Sequence, residues 1–226
     1  LPLHLAAGSV AVSAQAQAES PGEMDVLARV HPQLRAGAQT AMKASWVYGA
    51  VSEEALPGLR GFTPPITLNN PLAQRRARIP GKGAQPDIDA LVVNERKSGA
   101  PKPALLYLHG GGFVVGSAQQ EAASIHDLAK ALDCVVVAVN YRLAPETRWA
   151  GSLEDNYTAL KWLYANAAAL NINKGAIALF GNSAGGGHAA LLSIAARDRG
   201  EIPLLFQSLI YPMLDDRTGS TRPGPA

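Results

Sequence analysis

The stretch 176–188 constrains this chain more than any other: an apolar run, Ile177-Ala178-Leu179-Phe180, meets Gly181-Asn182-Ser183-Ala184-Gly185, and small helix-compatible residues follow. A strand that reverses into a helix within two residues puts its turning residue in a strained backbone conformation. Cβ atoms on the flanking positions would then collide. Glycine at 181 and 185 meets that requirement. The same turn lifts the Ser183 hydroxyl clear of the sheet and sets a helix N-terminus beneath it, where developing negative charge is stabilised. Because the spacing G-x-S-x-G is common by chance, its meaning depends on the neighbouring sequence.

Upstream, Pro103 precedes the apolar run 104–108, which suits a strand buried on both faces and ends in His109-Gly110-Gly111-Gly112-Phe113. Three consecutive glycines are costly in conformational entropy. They let a backbone approach a ligand closely and aim amide hydrogens at it, so directly after a strand they read as half of an oxyanion hole. Residues 119–132 read as a helix and 134–139 as a second buried strand, followed by Asn140-Tyr141-Arg142-Leu143-Ala144-Pro145-Glu146. Ser152-Leu153-Glu154-Asp155 has the form of a capping box, with Leu153, Tyr157, Leu160 and Tyr164 recurring on one helical face. After Ser183 the pattern predicts a helix over 184–198 and a strand over 204–211. Strands at 75–79 and 88–94 flank the turn Pro80-Gly81-Lys82-Gly83, and 97–103 reads as a polar loop. Alternating strands and helices imply an α/β fold with right-handed crossovers and a mostly parallel sheet.

At 226 residues and 47% hydrophobic, the chain is long enough for one α/β domain with a real core. Its 20 basic and 18 acidic side chains are too balanced for an electrostatic nucleic-acid binder, and Arg75, Arg76 and Arg78 read as a solvated strand edge. The single cysteine, Cys134, rules out an intrachain disulfide and reads as a small buried hydrophobe. No apolar run approaches bilayer-spanning length. The five histidines are scattered, H-E-x-x-H, cysteine pairs and a phosphate loop are missing, and Gly110-Gly111-Gly112 lacks dinucleotide-binding spacing. No metal or cofactor is expected.

Residues 1–20 begin with Leu1 rather than methionine, and Ala14-Gln15-Ala16-Gln17-Ala18 offers small residues of the A-x-A type. Two readings stand: an export-signal remnant, or an Ala-rich disordered arm, which leaves cytoplasmic and exported locations both open. Residues 21–71 read as cap helices and a connector. A first helix is capped at Ser20 and carries Met24, Leu27, Ala28 and Val30, and a second runs from Pro32 towards Trp46. Pro57, Pro64, Pro65 and Pro71 exclude a long regular element over 51–71. Residues 72–226 read as the catalytic domain.

The three motifs centred on Gly111, Ala144 and Ser183, in that order, resemble the hormone-sensitive-lipase-like branch of the α/β-hydrolase carboxylesterases. The similarity runs over about 75–217. The resemblance implies an α/β-hydrolase fold with an N-terminal helical cap, a small carboxylic ester of short to medium chain as substrate, and a serine nucleophile at Ser183. It further implies an oxyanion hole from the backbone amides of Gly111, Gly112 and Ala184, with His109 supporting the glycine loop. Asn182 and Ala150 depart from that pattern, which usually has an acidic residue and a proline there.

In this fold the triad follows the order serine, acid, histidine, and no histidine follows His188. His188 sits five residues beyond Ser183 on the same predicted helix, so it points roughly 140° away around the axis. His126 falls on the helix after the glycine loop, and His4 and His31 fall in the arm and cap. Asp215 and Asp216 read as a turn or cap entrance. The chain therefore reads as an α/β-hydrolase whose C-terminal strands, triad acid and histidine are missing. Two alternatives stay open: a binding or scaffold protein of the same fold, or an enzyme completed by another polypeptide.

Overall fold

The computed structural model describes residues 26–43, 53–61, 68 and 71–215. The chain divides into two compact units, Leu1–Val51 and Ser52–Ala226. The stretch read as an arm or export signal lies outside the described residues, as do Met24, Trp46 and Asp216.

In the first unit, the described part of the first expected helix is a 3-10 turn, Val26–Arg29, which stops short of Val30. His31 is extended, with ψ of 135°, as the residue before a proline must be, and so it separates this turn from the next. Pro32–Leu34 winds as a second 3-10 turn and runs into helix α1, Arg35–Lys43.

The second unit opens with a short helix, α2 (Leu56–Gly61), which tolerates Pro57 because the proline stands in its first turn. Among the described residues its core is a six-stranded sheet. In chain order the strands are β1 (Gln74–Ile79), β2 (Ile88–Val93), β3 (Lys102–Leu108), β4 (Val135–Val139), β5 (Ile172–Asn182) and β6 (Phe206–Ile210). The spatial order is β1-β2-β4-β3-β5-β6. β1 and β2 form an antiparallel hairpin, β2 joins β4 antiparallel, and β4, β3, β5 and β6 are parallel. Along this hairpin edge Arg75 pairs with Glu95, and Arg78 with Asp87.

Three helices cross between the parallel strands: α3 (Ala122–Ala131), α4 (Trp149–Ala165) and α5 (Ala184–Arg199). Side chains alternate along each strand, so the sheet buries both faces. One face packs Leu106, Leu108 and Val137 against Leu160 and Leu163 of α4 and Leu192 of α5. The other packs Tyr107, Val136 and Ala138 against Ile125 and Ala129 of α3, and buries Cys134 there. Among the described residues no helix is long and apolar enough to cross a membrane.

Several boundaries differ from the sequence reading: β5 starts at Ile172, ahead of the apolar run, and β6 is confined to Phe206–Ile210. β3 starts at Lys102, inside the expected polar loop, and Pro103 is accommodated because the register shifts between Lys102 and Ala104. α3 starts at Ala122, after a turn in which the Gln120 amide donates to the Ser117 carbonyl. α4 starts at Trp149, and the capping box does not form. Ser152 Oγ donates instead to the Arg142 carbonyl at 2.6 Å, and Asp155 accepts from the Arg142 guanidinium at 2.7 and 2.8 Å. Both side chains are engaged by the loop after β4, so the helix begins a turn earlier without them.

Candidate active site

β3 and β5 lie side by side, yet the chain leaves β3 for α3 on one face and leaves β5 for α5 on the other. Such a reversal opens a crevice beyond the carboxyl ends of the two strands. The glycine loop after β3 and Ser183 after β5 both lie at that crevice.

Ser183 adopts φ 52° and ψ −121°, a backbone region that non-glycine residues avoid. Three hydrogen bonds hold it there. Its amide donates to the Ile210 carbonyl at 2.9 Å, and its carbonyl accepts from the amides of Gly187 and Met213, each at 3.1 Å. A Cβ on Gly181 would overlap the Gly185 carbonyl, and one on Gly185 would overlap the carbonyls of Leu108 and His109. The two glycines are therefore required by close backbone approach, and the start of α5 rests directly against the end of β3. Ala184 is the first residue of α5, so its amide has no acceptor within the helix.

Opposite this turn, Gly111, Gly112 and Phe113 take φ of 121°, 60° and 67°, three successive left-handed residues. The Gly111 carbonyl accepts from the amides of Val114 and Val115 at 3.1 and 3.0 Å. Among the described residues, no backbone hydrogen bond engages the amides of Gly111 or Gly112 as donors. Two fixed left-handed glycines next to an exposed surface, facing a helix N-terminus, form an arrangement that can accept an anion.

His109 lies beneath this loop, 1% exposed, with its ring stacked on Tyr141 at 4.3 Å. Its Nδ1 lies 2.7 Å from the Gly110 carbonyl, which can only accept, so that nitrogen carries the proton. The Tyr141 hydroxyl donates to the His109 carbonyl at 2.6 Å. Burial lowers the His109 pKa to about 4, so the ring is neutral near pH 7. Beside it His188 is also 1% exposed, edge-on to Tyr141 and Phe113, with Nδ1 lacking a hydrogen-bond partner. Burial, with a smaller contribution from neighbouring His109, lowers its pKa to about 4 as well.

None of the hydrogen bonds made by the described histidines reaches Ser183. His126 Nδ1 accepts from the Leu72 amide and Nε2 donates to Gln74 Oε1. His31 Nδ1 accepts from the Gln33 amide. Asn182, at the position that departs from the resembled pattern, donates to Glu121 Oε1 at 3.4 Å, and Glu121 Oε2 accepts from the Tyr107 hydroxyl at 3.2 Å.

Arg60 is the residue that the sequence reading passes over. From α2 its Nε donates to the Val114 carbonyl at 2.8 Å, one guanidinium nitrogen donates to the Ala144 carbonyl at 2.7 Å, and both terminal nitrogens donate to Glu146 at 2.7 and 3.0 Å. The Ala144 amide in turn donates to the Phe113 carbonyl at 2.9 Å. The glycine loop and the loop after β4 are thus joined to each other and to α2.

A family model described as the alpha/beta hydrolase fold matches residues 105–225. Esterase LipI of Mycobacterium tuberculosis is 41% identical over 113 residues, 50% of this chain and 35% of that protein. Ethyl acetate hydrolase of Pseudomonas putida is 42% identical over 114 residues, 50% of this chain and 36% of that protein. A solved esterase of Pyrobaculum calidifontis superposes with a TM-score of 0.64 at 35% identity, over 81% of this chain and 58% of that one. The matched segment thus spans about a third of the two curated relatives' length.

Proposed function

This chain belongs to the α/β-hydrolase family, in its hormone-sensitive-lipase-like branch of carboxylesterases, and from that premise we propose that it carries the nucleophile and oxyanion hole of a serine esterase. The observation that carries the reading is the strained turn at Ser183, held at positive φ at the N-terminus of α5 and facing the left-handed glycine loop. In this reading Ser183 Oγ attacks the ester carbonyl carbon while a base takes its proton. The amides of Gly111, Gly112 and Ala184 receive the oxyanion. Collapse of the tetrahedral intermediate then expels the alcohol, which leaves with that proton, and water hydrolyses the acyl-enzyme. His109 keeps the glycine loop in register through Gly110. The substrate is a small carboxylic ester of short to medium acyl chain, a class supported by relatives named as esterase and ethyl acetate hydrolase.

None of the described histidines hydrogen-bonds Ser183, so the reading assigns the triad histidine, and with it the acid, to residues other than those described. The same observation favours a second reading, in which the fold binds esters without turning them over. Protein expressed from its complete coding sequence distinguishes the two through p-nitrophenyl acetate and butyrate hydrolysis. The first reading predicts turnover that Ser183→Ala abolishes, and a Gly112→Val variant with kcat lowered by about 10². Ester binding without turnover supports the second, and full turnover in Ser183→Ala excludes the first.

A further inference from the structure

We infer that Arg60 is a positioning residue for the glycine loop: it fixes the loop's amides in the geometry that the transition state requires. The inference rests on the esterase reading above. The glycine loop has no side chains of its own with which to hold shape between 110 and 112, and left-handed glycines interconvert readily with other conformations. The bonds from the Val114 and Val115 amides to the Gly111 carbonyl tie the loop to itself, and its ends anchor it to the rest of the fold. At one end Gly110 is held by His109 Nδ1. At the other the Val114 carbonyl accepts from Arg60 Nε at 2.8 Å, two residues after Gly112.

Arg60 does this with a fixed fork. The remaining donors of the same planar group engage the Ala144 carbonyl and both oxygens of Glu146, so the guanidinium cannot rotate without breaking several bonds at once. The Glu146 carboxyl is held down at about 2 by these bonds, which keeps the clamp charged and closed across the neutral range. Because the Ala144 amide also binds the Phe113 carbonyl, the segment 113–114 is fixed from two directions. Lysine would supply a point charge in place of the fork and could not serve all three acceptors with the same geometry.

An oxyanion hole is preorganised only if its donors are in place before charge develops, so loosening this loop acts on kcat more than on KM. In protein from the complete coding sequence, Arg60→Ala is expected to lower kcat for p-nitrophenyl butyrate by about 10-fold to 10²-fold, with KM within about threefold of the parent. Added guanidinium ion restores part of kcat in Arg60→Ala and has no such effect on the parent. Hydrogen exchange gives a reading independent of turnover. The Val114 and Val115 amides, bonded to the Gly111 carbonyl, exchange at least about tenfold faster in Arg60→Ala. If Arg60→Ala does not fold, Arg60→Lys is measured in the same way and is expected to lie between parent and alanine values. A parent without Ser183-dependent turnover overturns the esterase reading and leaves the exchange result to decide the role of Arg60. Unchanged exchange at 114–115 with unchanged kcat, or a fall in kcat that guanidinium does not rescue, overturns the inference about Arg60.

Discussion

Two buried histidines, His109 and His188, make this protein sensitive to mild acid. Both are 1% exposed, and burial lowers each pKa to about 4. In the unfolded chain each titrates near its ordinary value of about 6.5. Between those values the unfolded state binds more protons than the native one, so stability is complete above about pH 6.5 and falls as the pH drops towards 4. Worked between pH 7 and 5, the linkage amounts to roughly 2 kcal/mol for each histidine and about 4 kcal/mol for the pair. That is a large fraction of the roughly 5–15 kcal/mol by which folded domains are typically stable. The structural carboxylates do not confuse this window, because Asp87, Asp133, Glu146 and Glu201 are shifted down and act at lower pH. Urea unfolding followed by circular dichroism at pH 7, 6 and 5 measures the loss. His126, also shifted down by burial, adds to the same window, and His188→Leu removes one of these titrations together with the unpartnered Nδ1, so its stability should fall less steeply than the parent's and exceed it at pH 5. Stability that stays flat from pH 7 to 5, or an unchanged slope in the leucine variant, would show that these rings do not gain protons on unfolding.

Three further outcomes follow from the packing. Gly185→Ala drives a Cβ into the carbonyls of Leu108 and His109, and should cost about 3 kcal/mol or more in urea unfolding because backbone cannot yield as a side chain does. Asp155→Asn breaks the charged part of a buried network in which Arg142 stays 36% exposed, and a loss of about 3 kcal/mol is expected from thermal or urea unfolding at neutral pH. β6 stands at the edge of the sheet among the described residues, with Leu205, Phe206 and Tyr211 at 68%, 65% and 71% exposure. Residues 1–226 expressed alone should therefore elute as assemblies on size exclusion, and Phe206→Lys should reduce them; a monodisperse parent would contradict this.

The sheet and the Ser183 turn are legible in the sequence because their requirements are local. An apolar strand, a glycine on each side of a reversal and small residues after it leave one backbone solution, and the overlap at Gly181 and Gly185 confirms that steric reading. His109-Gly110-Gly111-Gly112 is legible for the same reason: three left-handed φ angles in succession need glycine at most of them. Arg60 is not legible. It lies 54 residues from Val114 in sequence, and its acceptor is a backbone carbonyl, a group that every residue carries. Only Glu146 gives a chemical hint, and an acid at that distance has many possible partners. The capping box misleads because a serine and an aspartate three residues apart serve equally well in tertiary contacts, and here the Arg142 loop outcompetes the helix terminus. Apolar spacing carries the first helix on to Val30, whereas the described turn ends at Arg29, because the spacing does not register that Pro32 disfavours helical backbone at His31.

Covalent trapping is the most direct test of the proposed role of Ser183 as a nucleophile held ready by its backbone. Protein from the complete coding sequence is treated with a fluorophosphonate probe, digested and analysed by mass spectrometry. One stoichiometric adduct is expected on the Ser183 hydroxyl, absent from Ser183→Ala and formed more slowly in Gly112→Val. An unlabelled Ser183 in protein that hydrolyses p-nitrophenyl esters, or an adduct on another side chain that persists in Ser183→Ala, would contradict it.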